Sequence, residues 1–442
     1  MTAGPPTSAD PPARQPSLPV TDDVDVPEAL ARVLAECRPL PVEPSDPQHA
    51  CGRLLAEPLH ARWPLPGADV STMDGWAVRA ADLSPGPAPP HDPSAAASPD
   101  LSSGPAASLA ALRVRGESAA GHPLAAPLGP GEAARISTGA VLPPGADAVV
   151  AQEDTTRRGD LLLIDRARAG DVRPGHFVRR AGSDIEAGAL LLSAGTALRA
   201  GDVALAVGAG HPTLPVRRAP RVAILCTGDE LVPPGAAPVR GQVVSSNGLM
   251  LACLVRDAGG HPLDLGLVGD DLGPLRAALR HALEIADVVV TSGGISVGDH
   301  DLVFPALAEL GLVPRFRRVR VRPGRPLTFG RLGEALVFAL PGNPASTFVG
   351  FHLFVRPALR ALAGDPSPTR PLRRVTLAAP AEGAGRRTHY VRARLAGDLA
   401  EPLPAQASGA LTSLRGCDAL VVVPPGPGLP AGAAADALVL DP

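Results

Sequence analysis

The chain contains no lysine; all 41 of its basic side chains are arginine. Any cation used in a site must therefore be a planar, permanently charged guanidinium. Cysteine is scarce. The five (Cys37, Cys51, Cys226, Cys253 and Cys417) show no C-x-x-C spacing, which argues against a disulfide framework and against a structural zinc site. No uninterrupted apolar run approaches the ~20 residues needed to span a bilayer. The first residues, Met1 to Pro19, lack the basic and apolar regions of a signal peptide, so a cytoplasmic protein with no membrane partner is expected. Net charge is also near zero, 41 − 44 = −3, which gives no general attraction to nucleic acid.

With 442 residues, 45% of them hydrophobic, the chain can build several cores, and two to four domains are expected. Residues 1–20 read as a disordered tail and 21–217 as a β-rich N-terminal lobe and linker. That lobe opens on a helix, "VPEALARVLAEC", with Pro27 suited to its first turn. Within the lobe, 23 of the 29 residues from Ser84 to Leu112 are Ala, Pro, Ser or Gly. Such a stretch buries too little apolar surface to offset its ordering entropy, so 84–112 reads as a flexible insertion. Short runs such as "AARIST", "DAVVAQED" and "DLLLIDRA" then predict strands.

The texture changes at Arg221. "RVAILCTGDEL", "HPLDLGLVGDD", "DVVVTSGG", "RFRRVRV" and "ALVFALPG" read as strands. They alternate with helices in "NGLMLACLVRDAGG", "LGPLRAALRHALEIA", "DLVFPALAELG" and "NPASTFVGFHLFVRPALRALAG". That alternation predicts a mostly parallel α/β domain over 218–366. Short strands return over 367–442, a small C-terminal β domain. The fold class is multidomain α/β, flanked by β-rich parts on both sides.

In open α/β sheets ligands bind at the carboxyl ends of the strands, and here those ends carry polar motifs. They are Thr227-Gly228-Asp229-Glu230, Gly269-Asp270-Asp271, Thr291-Ser292-Gly293-Gly294 with Ser296, Gly298 and Asp301 following, Arg322-Pro323-Gly324-Arg325, and Leu340-Pro341-Gly342-Asn343-Pro344. Glycines let backbone N–H groups approach a phosphate, and helix N-termini add a favourable dipole. Arg322 and Arg325 could clamp an anion with paired hydrogen bonds. Glu230, Asp270 and Asp301 are hard oxygen ligands suited to Mg²⁺ held against substrate phosphates. Each piece also has a plainer reading: Asp271 suits a helix N-cap, Asn343-Pro344 an N-cap and first-turn pair, and single arginines a solvated surface. His300 and His389 lack metal-ligand spacing and read as ordinary polar residues. Chance decoration of all five strand ends is much less plausible than any one of these plainer readings.

"CTGDEL", "SSN", "GDD", "TSGGISVGDHD", "PGRP" and "LPGNPAS", in this order, resemble the molybdopterin molybdenumtransferase family, which includes the enzymatic C-terminal part of gephyrin. "STMDGWAV", "STGAVLPPGADAVVAQED", "RRAGSDI" and "QASGALTSLRGCDALVVVP" extend the resemblance from about residue 22 to the end, apart from the insertion. The resemblance implies insertion of molybdenum from molybdate into adenylated molybdopterin with release of AMP, and Mg²⁺ as metal. It implies a homodimer whose sites join the α/β domain of one subunit to the MDG-bearing lobe of the other. The molybdopterin adenylyltransferase and molybdoenzyme apoproteins would be its protein partners. Carried over by motif, Asp74 and Thr138 come from the N-terminal lobe and Asp184 from the G-x-D motif. Glu230, Asp270 and Asp301 form the acidic set, and Pro341 and Pro344 shape the last loop. The chain departs from the family in three places: arginines stand in the PGRP loop where lysine is common, Trp76 replaces the usual tyrosine, and the insertion lies close to Asp74. Two other readings are a molybdopterin adenylyltransferase-like enzyme and a non-catalytic scaffold of the same fold. The first leaves the MDG lobe and terminal β domain unexplained, and the second predicts loss of acidic residues that are present. Molybdenum and tungsten are not separable on these residues.

Overall fold

Three segments of the α/β region are buried along almost their whole length: β7 (Arg221–Thr227), β9 (Val288–Ser292) and β13 (Ala335–Leu340). Continuous burial of this kind belongs to parallel strands covered by helices on both faces. The computed structural model of the chain describes residues 23–84, 109–295 and 302–440. Its central sheet adds β8 (His261–Val268), β10 (Val313–Arg318) and β12 (Pro326–Leu332), in the order β8-β7-β9-β13-β12-β10. The first four strands are parallel; β12 runs antiparallel to both β13 and β10. The mostly parallel α/β fold is therefore present, with an antiparallel edge.

Side chains alternate across this sheet into two cores. Val222, Ile224, Val290 and Phe338 face α2 (Asn247–Asp257) and the last helix, while Ala223, Leu225, Val289 and Val337 face α3 (Leu272–Ile285) and α4 (Val303–Glu309). The first helix, α1 (Val26–Glu36), carries Pro in its first turn as expected. The sequence placed it in the N-terminal lobe. It packs Val26, Ala29 and Val33 against the first of these α/β cores. The last helix is also not one regular helix: α5 (Pro344–Gly350) passes through a π turn at Phe351–Val355 into α6 (Arg356–Leu362). Pro357 explains this, since it lacks an N–H and its ring would collide with the carbonyl four residues back.

In the N-terminal lobe, β1 (Gly75–Val78), β2 (Leu109–Ser118), β3 (Glu132–Ile136), β4 (Ala148–Ala151), β5 (Thr155–Arg158) and β6 (Leu161–Asp165) form a sheet ordered β4-β1-β3-β2-β6-β5. The expected flexible insertion falls largely on 85–108, outside the described residues, as does the expected tail at 1–20. Its last four residues differ from expectation. Leu109–Leu112 begin β2, with Ala110 and Leu112 buried, because pairing with β6 supplies an apolar face that composition does not register.

The C-terminal strands β14 (Leu372–Leu377), β15 (Thr388–Ala396), β16 (Leu399–Pro402), β17 (Ala419–Val423) and β18 (Ala434–Val439) close on themselves, since β17 pairs with both β18 and β15. The expected single strand "RFRRVRV" is split: after β10 the chain turns, and β11 (Val321–Arg322) joins β15 of this barrel. This switch carries the Arg322–Arg325 loop across the junction between the two domains. Among the described residues no helix is long and apolar enough to cross a membrane.

Candidate functional site

The parallel strands fix where a ligand can enter. From β7 the chain crosses to β8 on one side and then back to β9 on the other, so the loops after β7 and β9 diverge. A crevice at such a switch point is the general binding location in α/β sheets. Here it is a cavity of about 280 Å³ lined by Thr227 and Gly228 from β7, Gly293 and Gly294 from β9, Glu230 and Asp270, and closed by Pro341, Gly342 and Asn343. The β7 and β9 loops approach so closely that a Cβ on Gly293 would lie 2.2 Å from the Thr227 carbonyl oxygen, at φ +108°. Only glycine fits there.

Asn247 ties the three loops together. It opens α2 and is buried, and its amide donates to Ser292 Oγ (2.9 Å) and to the Gly342 carbonyl (2.7 Å). Ser292 Oγ and Thr347 Oγ1 both donate to the Pro341 carbonyl, at 3.1 and 2.6 Å. A buried network of this kind rigidifies the loops it joins. On the acidic side, the Asp270 backbone N–H donates to Asp229 Oδ1 at 2.9 Å, which locks the β8 loop against the β7 loop. Asp271 caps α3 by accepting from Gly273 N at 2.8 Å, as its plainer reading expected. The Asn343 side chain does not cap α5. It donates to Ser408 Oγ at 3.1 Å, and Ala345 N donates to the Ser408 carbonyl at 3.0 Å. The C-terminal β domain thereby supplies a wall of the site.

Asn343 also lines two further hollows. One, about 490 Å³, reaches past Ser292 and Pro344 to Ser245, Asn247 and Leu411. The other, about 430 Å³, is lined by Arg322, Arg325, Arg387 and Ser408. A glycine- and carboxylate-lined cavity thus lies beside a guanidinium-lined one. Arg322 donates to the Gly383 carbonyl at 3.3 Å, and Arg325 pairs with Asp23 at 3.2 Å. The neighbouring His389 ring is buried with Nδ1 2.7 Å from the Glu382 carbonyl oxygen, and burial lowers its pKa.

Asp74 and Thr138 meet in the N-terminal lobe. The Thr138 N–H (2.7 Å) and hydroxyl (3.0 Å) both donate to one Asp74 carboxylate oxygen. Those two hydrogen bonds hold the carboxyl below its usual range, with Arg135 adding to the effect. Arg135 lies over the buried ring of Trp76, 5.6 Å from its centroid, so the indole packs against a cation. Asp184 pairs with Arg179 at 3.1 Å. None of the cavity walls described above includes Asp74, Thr138 or Asp184. Ser296, Gly298 and Asp301 lie outside the described residues.

The match to known proteins covers nearly the whole chain. Residues 24–210 match the family model of the MoeA N-terminal region (domain I and II), 223–361 that of a probable molybdopterin binding domain, and 374–440 that of the MoeA C-terminal region (domain IV). A molybdopterin molybdenumtransferase of Nostoc is 38% identical, over 71% of this chain and 68% of its own length. The molybdopterin molybdenumtransferase of Bacillus subtilis is 31% identical, over 85% and 84%. The chain belongs to the molybdopterin molybdenumtransferase family. The crystal structure of a molybdopterin biosynthesis MoeA protein from Pyrococcus horikosii superposes with a TM-score of 0.79 at 32% identity, covering 95% of this chain and all of that one. Like the family, the chain is a transferase of molybdenum cofactor biosynthesis.

Four residues of the site went unassigned on sequence grounds: Asp229, Asn247, Arg387 and Ser408. Asn247 stood in plain view as a helix opener, but nothing local says that its amide reaches residues 45 and 95 positions away. Arg387 and Ser408 belong to the β barrel, and only the docking of that barrel brings them to the groove.

Proposed function

We propose that the chain inserts molybdenum from molybdate into adenylated molybdopterin and releases AMP, the final step of molybdenum cofactor assembly. One observation carries this reading: a glycine- and carboxylate-lined pocket and an arginine-lined hollow share Pro341 and Asn343 in their walls. The backbone groups around Gly293 and Gly294 suit the phosphates of the adenylated substrate. Arg322, Arg325 and Arg387 suit an oxyanion, since guanidinium donors match its oxygens in pairs.

Among the described residues no three His, Cys, Asp or Glu side chains are grouped to hold a metal alone. Glu230 and Asp270 nevertheless share one cavity wall, and Mg²⁺ is typically held by one or two carboxylates together with substrate phosphates and water. This pair fits Mg²⁺, with Asp301 as a further ligand in our reading. The bound ion would neutralise charge developing on the phosphoanhydride as AMP leaves. Asp229 positions Asp270 through its backbone N–H, and Asn247 keeps the loops at the separation the substrate needs.

We further propose that the protein works in the cytoplasm as a homodimer, with Asp74, Thr138 and Asp184 completing the groove of the partner subunit. In support, the Asp74 carboxylate is preset by two hydrogen bonds, held ionised, and exposed to solvent. Incubating purified protein with adenylated molybdopterin, Mg²⁺ and molybdate should release AMP and load metal, with tungstate run in parallel. AMP release that does not depend on the oxyanion, together with no metal incorporation, would refute the assignment. An adenylyltransferase would instead consume ATP.

A further inference from the structure

Beside the oxyanion end of the groove lies a second hollow of about 560 Å³, walled by Asp23, Arg320, Arg325, Arg386 and Arg387. It shares Arg325 and Arg387 with the oxyanion cavity. Four of its five walls are guanidinium groups, and the fifth is a carboxylate. That carboxylate is held from its own backbone. Val24 N donates to the Arg318 carbonyl at 3.1 Å, Arg320 N donates back to the Val24 carbonyl at 2.8 Å, and Arg320 Nη1 donates to the Asp23 carbonyl at 2.7 Å. The segment is thereby strapped alongside the strand that leads into the Arg322–Arg325 loop. Asp23 Oδ2 then lies 3.2 Å from Arg325 Nη2, and its Oδ1 is buried with no hydrogen-bond partner among the described residues.

We propose that Asp23 is a built-in counter-ion of the oxyanion end, competing for Arg325 and weakening the capture of molybdate. The inference rests on the reading of Arg322, Arg325 and Arg387 as that end. An arginine that already faces a carboxylate offers an incoming dianion less net attraction, and the carboxylate itself repels it. Weak capture suits a transferase, because tight ground-state binding lowers KM without speeding the transfer.

Asp23→Asn keeps a hydrogen-bond acceptor for Arg325 and removes only the charge. Calorimetric titration of the full chain with molybdate, at fixed low ionic strength, should show about two- to fivefold tighter binding for Asp23→Asn, the range expected for a partly exposed ion pair. Arg325→Ala, titrated alongside, should bind more weakly than the parent. Unchanged or weaker binding by Asp23→Asn, with Arg325→Ala still impaired, overturns the counter-ion while leaving the oxyanion end in place. Parental affinity in Arg325→Ala would remove the oxyanion reading itself, and the inference with it. Melting temperatures of both variants within a degree or two of the parent tie any change to the site.

Discussion

Replacing Asn247 by aspartate exchanges one amide nitrogen for oxygen, yet it should cost more than truncating the side chain to alanine. Asn247 is only 9% exposed, and its amide nitrogen sits 2.7 Å from the Gly342 carbonyl oxygen and 2.9 Å from Ser292 Oγ. Asn247→Ala leaves the Gly342 carbonyl without that donor, while Ser292 keeps its bond to Pro341. One orphaned buried acceptor and a small void cost about 2–3 kcal/mol. Asn247→Asp sets a carboxylate oxygen against that carbonyl, and the carboxyl can restore the hydrogen bond only by taking up a proton. Holding it protonated at pH 7, from an ordinary pKa of about 3.9, costs roughly 4 kcal/mol, at about 1.4 kcal/mol per unit. The sign is fixed by the raised folded-state pKa: the penalty is full at neutral pH and fades as pH falls toward about 4. Urea titrations of parent and variant at pH 7 and pH 5 should therefore show the gap shrinking by about 3 kcal/mol at the lower pH. A variant as stable as the parent at pH 7, or a gap that ignores pH, would mean that the Asn247 amide is not buried against Gly342 as described.

Glu230→Ala should cut AMP release by at least a hundredfold while leaving the melting temperature within a few degrees, because Glu230 lines the cavity and belongs to no hydrophobic core among the described residues; near-parental turnover at limiting Mg²⁺ would remove it from the metal set. His352 is buried in the π turn, both ring nitrogens without a hydrogen-bond partner among the described residues, and burial lowers its pKa to about 3. It folds neutral, so the unfolded chain binds the extra proton below about pH 6.5; stability should fall from there toward pH 3 by up to about 1.4 kcal/mol per unit, and His352→Leu should flatten that slope in urea titrations. Co-expressing Asp74→Ala with Asp301→Ala, each inactive alone, should restore about a quarter of the parental sites if Asp74 acts across a dimer, since half the dimers are mixed and one of their two sites carries neither lesion; zero AMP release from verified mixed dimers would place the whole site within one chain.

The order of elements was legible because it is written in local patterns. β7, β9 and β13 are largely apolar runs of five to seven residues with Gly or Pro close behind, and α3 opens on its own cap at Asp271. Motifs at the strand ends were legible for the same reason, because a parallel strand presents its carboxyl end to solvent and the chain must turn there. Where the pattern was read too simply, a neighbour distant in sequence decided the outcome. Ala110 and Leu112 lie in a stretch whose composition favours disorder, and pairing with β6 makes them core. The apolar stripe of α1 says that the helix is buried, not where, and its partners Phe316, Phe329 and Phe354 lie some 300 residues on. Asn343 reads as a helix cap until the β barrel docks and offers Ser408, 65 positions away, as a better partner. What the sequence determined by itself was which residues could do chemistry and which elements carry them. Which of them meet was decided by tertiary structure, because a hydrogen bond of about 3 Å between distant loops depends on every strand pairing that sets those loops in place.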